Sequence, residues 1–253
     1  MRLDLAYDGR PFRGFARQPD VRTVQGELEG ALRSIFGREV QTFGAGRTDA
    51  GVHALGQVVG CPDLPKEADP DRIQKAVNGM CGPSISIWRS QPAPPEWHAR
   101  YSAISRAYVY AILISEVADP FLDATTWRVP QELNVPAMNE AAGQLLGEHD
   151  FSSFGRATDE GAGAVRTLIQ LNVEQEGSLI RVRARANSFI QQMVRTLAGT
   201  LVSVGMGRTS PADMISIMES KDRAAAGPVA PAHGLCLIAV EYDEGWSRPF
   251  DPF

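Results

Sequence analysis

Residues 44–54 read Gly-Ala-Gly-Arg-Thr-Asp-Ala-Gly-Val-His-Ala, which crowds glycines around one arginine, one carboxylate and one histidine. Glycine lets a backbone approach a ligand closely, so the pattern describes a loop that presents Arg47, Asp49 and His53 to something bound. The stretch is not a dinucleotide fingerprint, because Asp49 stands where the third glycine belongs and no strong helix follows. No Walker sequence occurs in the chain either. Arg47 and Asp49 also fit a plainer reading, an exposed ion pair in a turn worth under about 1 kcal/mol.

The elements that must position this loop are legible on both sides of it. Residues 2–7 alternate with period two and end at Asp8-Gly9, which predicts a strand and a turn. A helix follows, with Thr23 as its N-cap, Val24, Leu28, Ala31, Leu32 and Ile35 on one face, and a stop at Gly37. Residues 39–43 and 55–59 read as short strands around the glycine-rich loop, and Asp69-Pro70 opens a second helix with Ile73, Ala76, Val77 and Met80 inward. Strands are expected over 85–89 and 107–114. In the second half a helix runs from Pro136 to Gly147 and a strand over 165–173. Residues 178–187 alternate strictly, with Ile180, Val182, Ala184 and Ala186 on one face and Arg181, Arg183 and Arg185 on the other. A helix over 188–204 places Phe189, Met193, Leu197 and Leu201 on one stripe, and Ser210-Pro211 begins another. Residues 235–242 form an apolar strand, and the last ten residues read as a polar tail.

Composition narrows the class. With 253 residues, 43% hydrophobic and 22% charged, the chain can bury a core and is neither disordered nor fibrous. It shows no apolar run long enough to span a membrane and no secretory leader pattern, which predicts a cytoplasmic protein without a membrane partner. Cys61, Cys81 and Cys236 are odd in number and far apart, and His53, His98, His149 and His233 are scattered, so neither a disulfide framework nor a metal site is expected. The 25 basic against 30 acidic side chains leave a net charge of −5, which by itself argues against a nucleic-acid partner. The charge is segregated, however. Residues 116–150 carry seven acids against Arg128 alone, while 151–212 carry seven arginines against four acids. All but Lys66, Lys75 and Lys221 of the basic residues are arginine, the side chain suited to bidentate phosphate contacts and to stacking on bases.

The string Gly46-Arg47-Thr48-Asp49-Ala50-Gly51-Val52-His53-Ala54 resembles the motif of the TruA family of tRNA pseudouridine synthases, and the resemblance continues along the chain. It takes in Tyr7-Asp8-Gly9 with Gly14 and Gln18, Thr23-Val24-Gln25, His98-Ala99-Arg100-Tyr101-Ser102-Ala103, Arg106-Ala107-Tyr108-Val109-Tyr110, His149-Asp150-Phe151, and Ala186-Asn187-Ser188-Phe189 leading to Arg195. Three places depart from the family pattern: Phe15-Ala16 after Gly14, residues 78–85, and Trp97 before His98.

The resemblance implies an α+β pseudouridine synthase fold: two similar α/β halves, a central mostly antiparallel sheet flanked by helices, and a cleft between the halves. The expected division is 1–104, carrying the aspartate loop, and 105–253, carrying a tyrosine and an arginine of the site. It further implies isomerisation of uridine to its C-glycosyl isomer in the tRNA anticodon stem-loop, at tRNA positions 38, 39 and 40, with no cofactor and no metal. Asp49 is then the catalytic aspartate, Arg47 its motif partner, Tyr108 the active-site tyrosine and Arg195 the basic residue of a later helix, expected to pair with Asp49. Arg47, His53 and Tyr108 are expected to bind substrate. For Arg181, Arg183 and Arg185, RNA binding and a solvated sheet face are both open, as is a backbone grip by Arg13, Arg17, Arg22 and Arg208. A homodimer holding one tRNA is implied as well. Two rival classes compete: a catalytically silent RNA-binding module, and a small-molecule nucleoside glycosidase or phosphorylase.

Overall fold

In a computed structural model, which describes residues 1–65, 67–157 and 163–247, the elements run β1 (Arg2–Tyr7), α1 (Val24–Phe36), β2 (Phe43–Gly44), β3 (His53–Gly60), α2 (Pro70–Cys81), β4 (Ile85–Gln91), β5 (Ser105–Ile114), β6 (Trp127–Val129), α3 (Val135–Gly143), β7 (Gly147–Asp150), β8 (Val165–Glu176), β9 (Leu179–Ala186), α4 (Met193–Gly205), α5 (Met214–Ser220), β10 (Leu235–Tyr242) and β11 (Gly245–Trp246). The chain divides into two units, residues 1–104 with the segment from Cys236 onward, and residues 105–235. Nearly all of β10 therefore lies with the first unit, where the sequence reading had carried it in a second half of 105–253. It does so because Cys236 and Leu237 pair with His53 and Ala54 of β3.

In the first unit the strand order is β4-β1-β3-β10, antiparallel except where β10 runs parallel to β3, with β2 on β3 and β11 on β10. Leu3, Leu5, Val58, Val59, Ile85 and Ile87 are buried in this sheet, and α1 packs on α2, which packs on β4. Thr23 caps α1 as its type and position predict, its hydroxyl accepting from the Gly26 N–H. The sheet also buries charge. Asp4 accepts from Arg2 and Arg89, and the Arg2 guanidinium lies over the Tyr242 ring at 4.6 Å.

In the second unit the order is β5-β9-β8-β7, antiparallel throughout, with β6 parallel to β5. Strand β9 buries Ile180, Val182, Ala184 and Ala186, as its alternation requires, and α3 packs on both β8 and α4. Helix α4 is buried on almost every side, Thr196 and Thr200 included.

Several boundaries move for identifiable reasons. Residues 39–42 form no ladder, and α1 takes over the polar groups of Thr42: its N–H and hydroxyl donate to Glu29, and the Gln25 amide donates to its carbonyl. Only Phe43 and Gly44 pair as a strand. Met80 is exposed, since the buried line of α2 runs through Ile73, Val77 and Cys81 at steps of four and gives the last seat to Cys81. Helix α3 closes at Gly143, and Gly147 instead opens β7. Helix α4 starts five residues later than its pattern suggested, because Gln191 pairs with Arg156 as an isolated bridge and Gln192 takes a positive φ of 65°. Strands β6 and β11 are too short to show a period. Of the polar tail, 244–247 are described and 248–253 lie outside the described residues, as does Lys66.

Candidate active site

The aspartate loop is held by neutral hydrogen bonds. Tyr7 at the end of β1, Thr48 in the loop and Gln57 in β3 are all buried. The Tyr7 and Thr48 hydroxyls share a bond of 2.8 Å, and the Gln57 amide donates to the Gly46 carbonyl at 2.9 Å and to the Tyr7 hydroxyl at 3.4 Å. The loop enters alongside β3 through Ala45 N–H donating to the Val58 carbonyl, and it turns after Asp49 with Val52 N–H donating back to the Asp49 carbonyl. From outside, the segment after β1 closes on it, with Phe15 N–H donating to the Thr48 carbonyl at 3.0 Å. Asp49, half-buried, is thus flanked on both sides by backbone with fixed partners, while Arg47 is exposed.

Gly9 and His53 complete the clasp. A Cβ on Gly9 would stand 2.1 Å from the Val52 carbonyl oxygen, so the turn after β1 can lie against the loop only if residue 9 has no side chain. The Gly9 N–H donates to His53 Nδ1 at 3.2 Å, which makes Nδ1 an acceptor and leaves the ring proton on Nε2. The same Nδ1 lies 3.4 Å from the Asp8 carboxylate. Asp8 finds its cation in Arg10, whose guanidinium hydrogen bonds hold the Asp8 carboxyl below the usual range against the opposing effect of burial. His53 therefore ties the Asp8-Gly9 turn to the first residue of β3.

The second unit carries the other residues singled out by the sequence. Tyr108 and Tyr110, two apart on β5, share a face. Tyr108 is 7% exposed and meets Phe189 edge-on at 5.2 Å, while Tyr110 is fully buried, stands edge-on to Trp127 and donates its hydroxyl to the Pro231 carbonyl at 2.8 Å. Burial pushes the Tyr110 phenol far above its ordinary range, and the Arg195 charge opposes that rise. Arg195, in the first turn of α4, donates through Nε to the Ala230 carbonyl at 2.8 Å, and Ala230 N–H donates to the Arg195 carbonyl at 3.1 Å. The segment 226–231 reaches the helix because a Cβ on Gly199 would overlap the Pro228 carbonyl oxygen at 1.9 Å. The Gly227 N–H is bound by the Thr200 hydroxyl on the same helix.

The strand arginines lie elsewhere. Tyr108 is opposite Ala184 and Val109 opposite Arg183, so Arg181, Arg183 and Arg185 occupy the sheet face opposite Tyr108 and Tyr110. Each has a partner: Arg181 with Glu176 at 3.0 Å, Arg183 with Glu174 at 2.9 Å, and Arg185 with the Ser105 hydroxyl at 3.0 Å. The Arg183 hydrogen bond is the main reason that the Glu174 carboxyl titrates below its usual range. Arg17 and Arg22 likewise bind Glu29 and Glu27.

Sequence reasoning missed Gln57 and Thr48 as positioning residues. The signal for Gln57 was present, an amide inside the otherwise apolar run His-Ala-Leu-Gly-Gln-Val-Val-Gly of β3. Among the described residues, no group of three or more His, Cys, Asp or Glu side chains is placed to hold a metal ion, and no helix is long and apolar enough to cross a membrane.

A family profile described as tRNA pseudouridine synthase matches residues 5–102 and 141–243. The tRNA pseudouridine synthase A of Ruegeria sp. (strain TM1040) is 42% identical over 247 residues, covering 96% of this chain and 95% of that protein. The proteins of the same name from Rhodopseudomonas palustris (strain BisA53) and Xanthobacter autotrophicus are 41% and 43% identical, each over 243 residues and 98% of its own length.

Proposed function

The chain belongs to the tRNA pseudouridine synthase family, and from that premise we propose that it isomerises uridine in the anticodon stem-loop of tRNA, at positions 38, 39 and 40, with Asp49 as the reacting carboxylate. The reaction breaks the bond from uracil N1 to ribose C1′, turns the base while it stays bound, and joins C5 to C1′. The proton lost from C5 balances the one gained at N1, so the product is an isomer and neither an oxidant nor a second substrate is consumed. Asp49 acts either by trapping C1′ covalently or by removing the 2′ proton.

A uridine stacked in a stem must leave the helix to meet Asp49, at a cost of a few kcal/mol. Arg47, exposed beside it, fills the vacated space or holds the displaced phosphate. Tyr108 offers a ring face to uracil and a hydroxyl for the C5 proton, and Arg195 supplies the positive charge that keeps a poorly solvated carboxylate ionised. His53 serves the substrate by fixing the turn beside the loop. Because Arg181, Arg183 and Arg185 lie on the sheet face opposite Tyr108, their contact is with a different stretch of the tRNA. Two copies of the chain in the cytoplasm hold one tRNA.

The observation that carries this reading is the fixed Asp49 backbone, between a clamped Thr48 and a closed turn to Val52. A silent RNA-binding module does not need a carboxylate held in this way, and a nucleoside glycosidase does not need the arginines. Tritium release from tRNA carrying 5-tritiated uridine separates the three. Release from tRNA and not from free uridine is expected, with Asp49→Asn slower by about 10⁴-fold or more; release from no tRNA at all would sink the proposal. An Arg195→Lys variant as fast as the parent would remove Arg195 from it.

A further inference from the structure

Three aromatic rings form a ladder that ends in solvent. Phe43 of β2 packs against His98 with centroids 5.3 Å apart, and His98 against Tyr101 at 4.5 Å. Tyr101 is 78% exposed, and the Arg100 guanidinium lies 5.8 Å from its centroid. The ladder is rigid. Arg100 and Tyr101 donate their backbone N–H groups to His98 Nδ1 at 3.0 and 3.3 Å, and the His98 backbone N–H and carbonyl are both bound by Ser102. An isolated exposed aromatic needs no explanation. One braced by two further rings and flanked by a guanidinium has the parts of a base-stacking site, a π face with a cation for the neighbouring phosphate.

We propose that Tyr101, backed by His98 and Phe43 and flanked by Arg100, stacks an unpaired base of the RNA substrate at a nucleotide other than the reacting uridine. The inference rests on the proposed function for the identity of that RNA. The position follows from the strand register. Phe43 is paired with Gly60 at the far end of β3, whereas the aspartate loop closes at His53. Seven residues at roughly 3.3 Å each separate the two ends, about 23 Å, too far for one base to reach both.

The test uses the full chain with an unmodified tRNA transcript, reading KM by tritium release, Kd by filter binding at several salt concentrations, and assembly by sedimentation velocity. Tyr101→Ala is expected to raise KM and Kd about ten-fold without changing the slope of affinity against salt, because a stack and not a phosphate contact is lost. Tyr101→Phe restores affinity, since the ring face is kept, and Arg100→Ala lowers the salt slope by about one. The proposal is overturned if Tyr101→Ala binds within two-fold of the parent, if Tyr101→Phe is as weak as Tyr101→Ala, or if Tyr101→Ala changes the sedimentation coefficient, which would make the face a contact with a second copy. A parent enzyme that binds tRNA through Tyr101 yet releases no tritium would defeat the proposed reaction and leave the platform standing.

Discussion

The loop that carries Asp49 is held by uncharged groups, the Tyr7 and Thr48 hydroxyls, the Gln57 amide and backbone carbonyls, most of them buried. On β9 the chain works with charges, where the mostly buried Arg181 and Arg183 meet Glu176 and Glu174, whose carboxylates face solvent. The two regions ask different things of a hydrogen bond. A buried neutral bond fixes geometry because breaking it strands a donor or acceptor, whereas an exposed ion pair is worth little and is screened by salt. The first arrangement suits a group that must not move, and the second suits cations that exchange one anionic partner for another. Under the proposed function, the glutamates of β8 hold the places that RNA phosphates would take.

The contrast can be broken most severely at Gly9. Gly9→Ala must push backbone away from Val52, and we expect a loss of about 1–3 kcal/mol in urea unfolding together with roughly 100-fold in kcat, since a displaced aspartate is a misaligned one. A variant with normal kcat would show that the loop tolerates movement. A milder break is Gln57→Leu, which leaves the Gly46 carbonyl without its buried donor; a loss of about 1–3 kcal/mol is expected, with the effect on turnover exceeding that on tRNA affinity. The reverse pattern, affinity lost and turnover kept, would place the network in binding.

The smallest effect is expected on β9 and has the opposite sign. Glu174→Gln removes one negative charge from beside Arg183, so tRNA should bind two- to three-fold more tightly at low salt while the thermal midpoint barely moves. Acid should imitate the substitution. The Glu174 carboxyl is held below its usual value by Arg183, so the pair contributes above the unfolded pKa and is lost as pH falls through the depressed folded value. If Glu174→Gln leaves affinity unchanged, β9 is a solvated face and not an RNA contact.

How much of this was written in the sequence depends on the range of the interaction. Thr23 at its cap, the alternation of β9 and the glycine-crowded loop were all readable, because each is decided by neighbours within a few residues. The strand expected over 39–43 failed because Gln25 and Glu29, more than a dozen positions earlier, satisfy Thr42 from a helix. The Tyr7-Thr48-Gln57 network was invisible for the same reason, since no spacing rule links residues 41 and 50 apart in the chain. The opposition of Tyr108 and the β9 arginines needed the pairing of Tyr108 with Ala184, which periodicity within either strand leaves open by one residue. The net charge of −5 was the least informative number, because what matters on β9 is which acid sits beside which arginine.

The segment 226–231 has neither helix nor strand, the kind of chain that ordinarily opens first and closes last. Here Gly199 lets it lie flat on a buried helix, Thr200 holds Gly227, and Arg195 and Ala230 bind each other's backbone or side chain in both directions. If Arg195 acts as proposed, it is aimed before a substrate arrives, and no loop closure has to be waited for on its account. Preorganisation of that kind is set when the unit folds, so a lesion in 226–231 that released Arg195 should lower stability and, under the proposed function, turnover together.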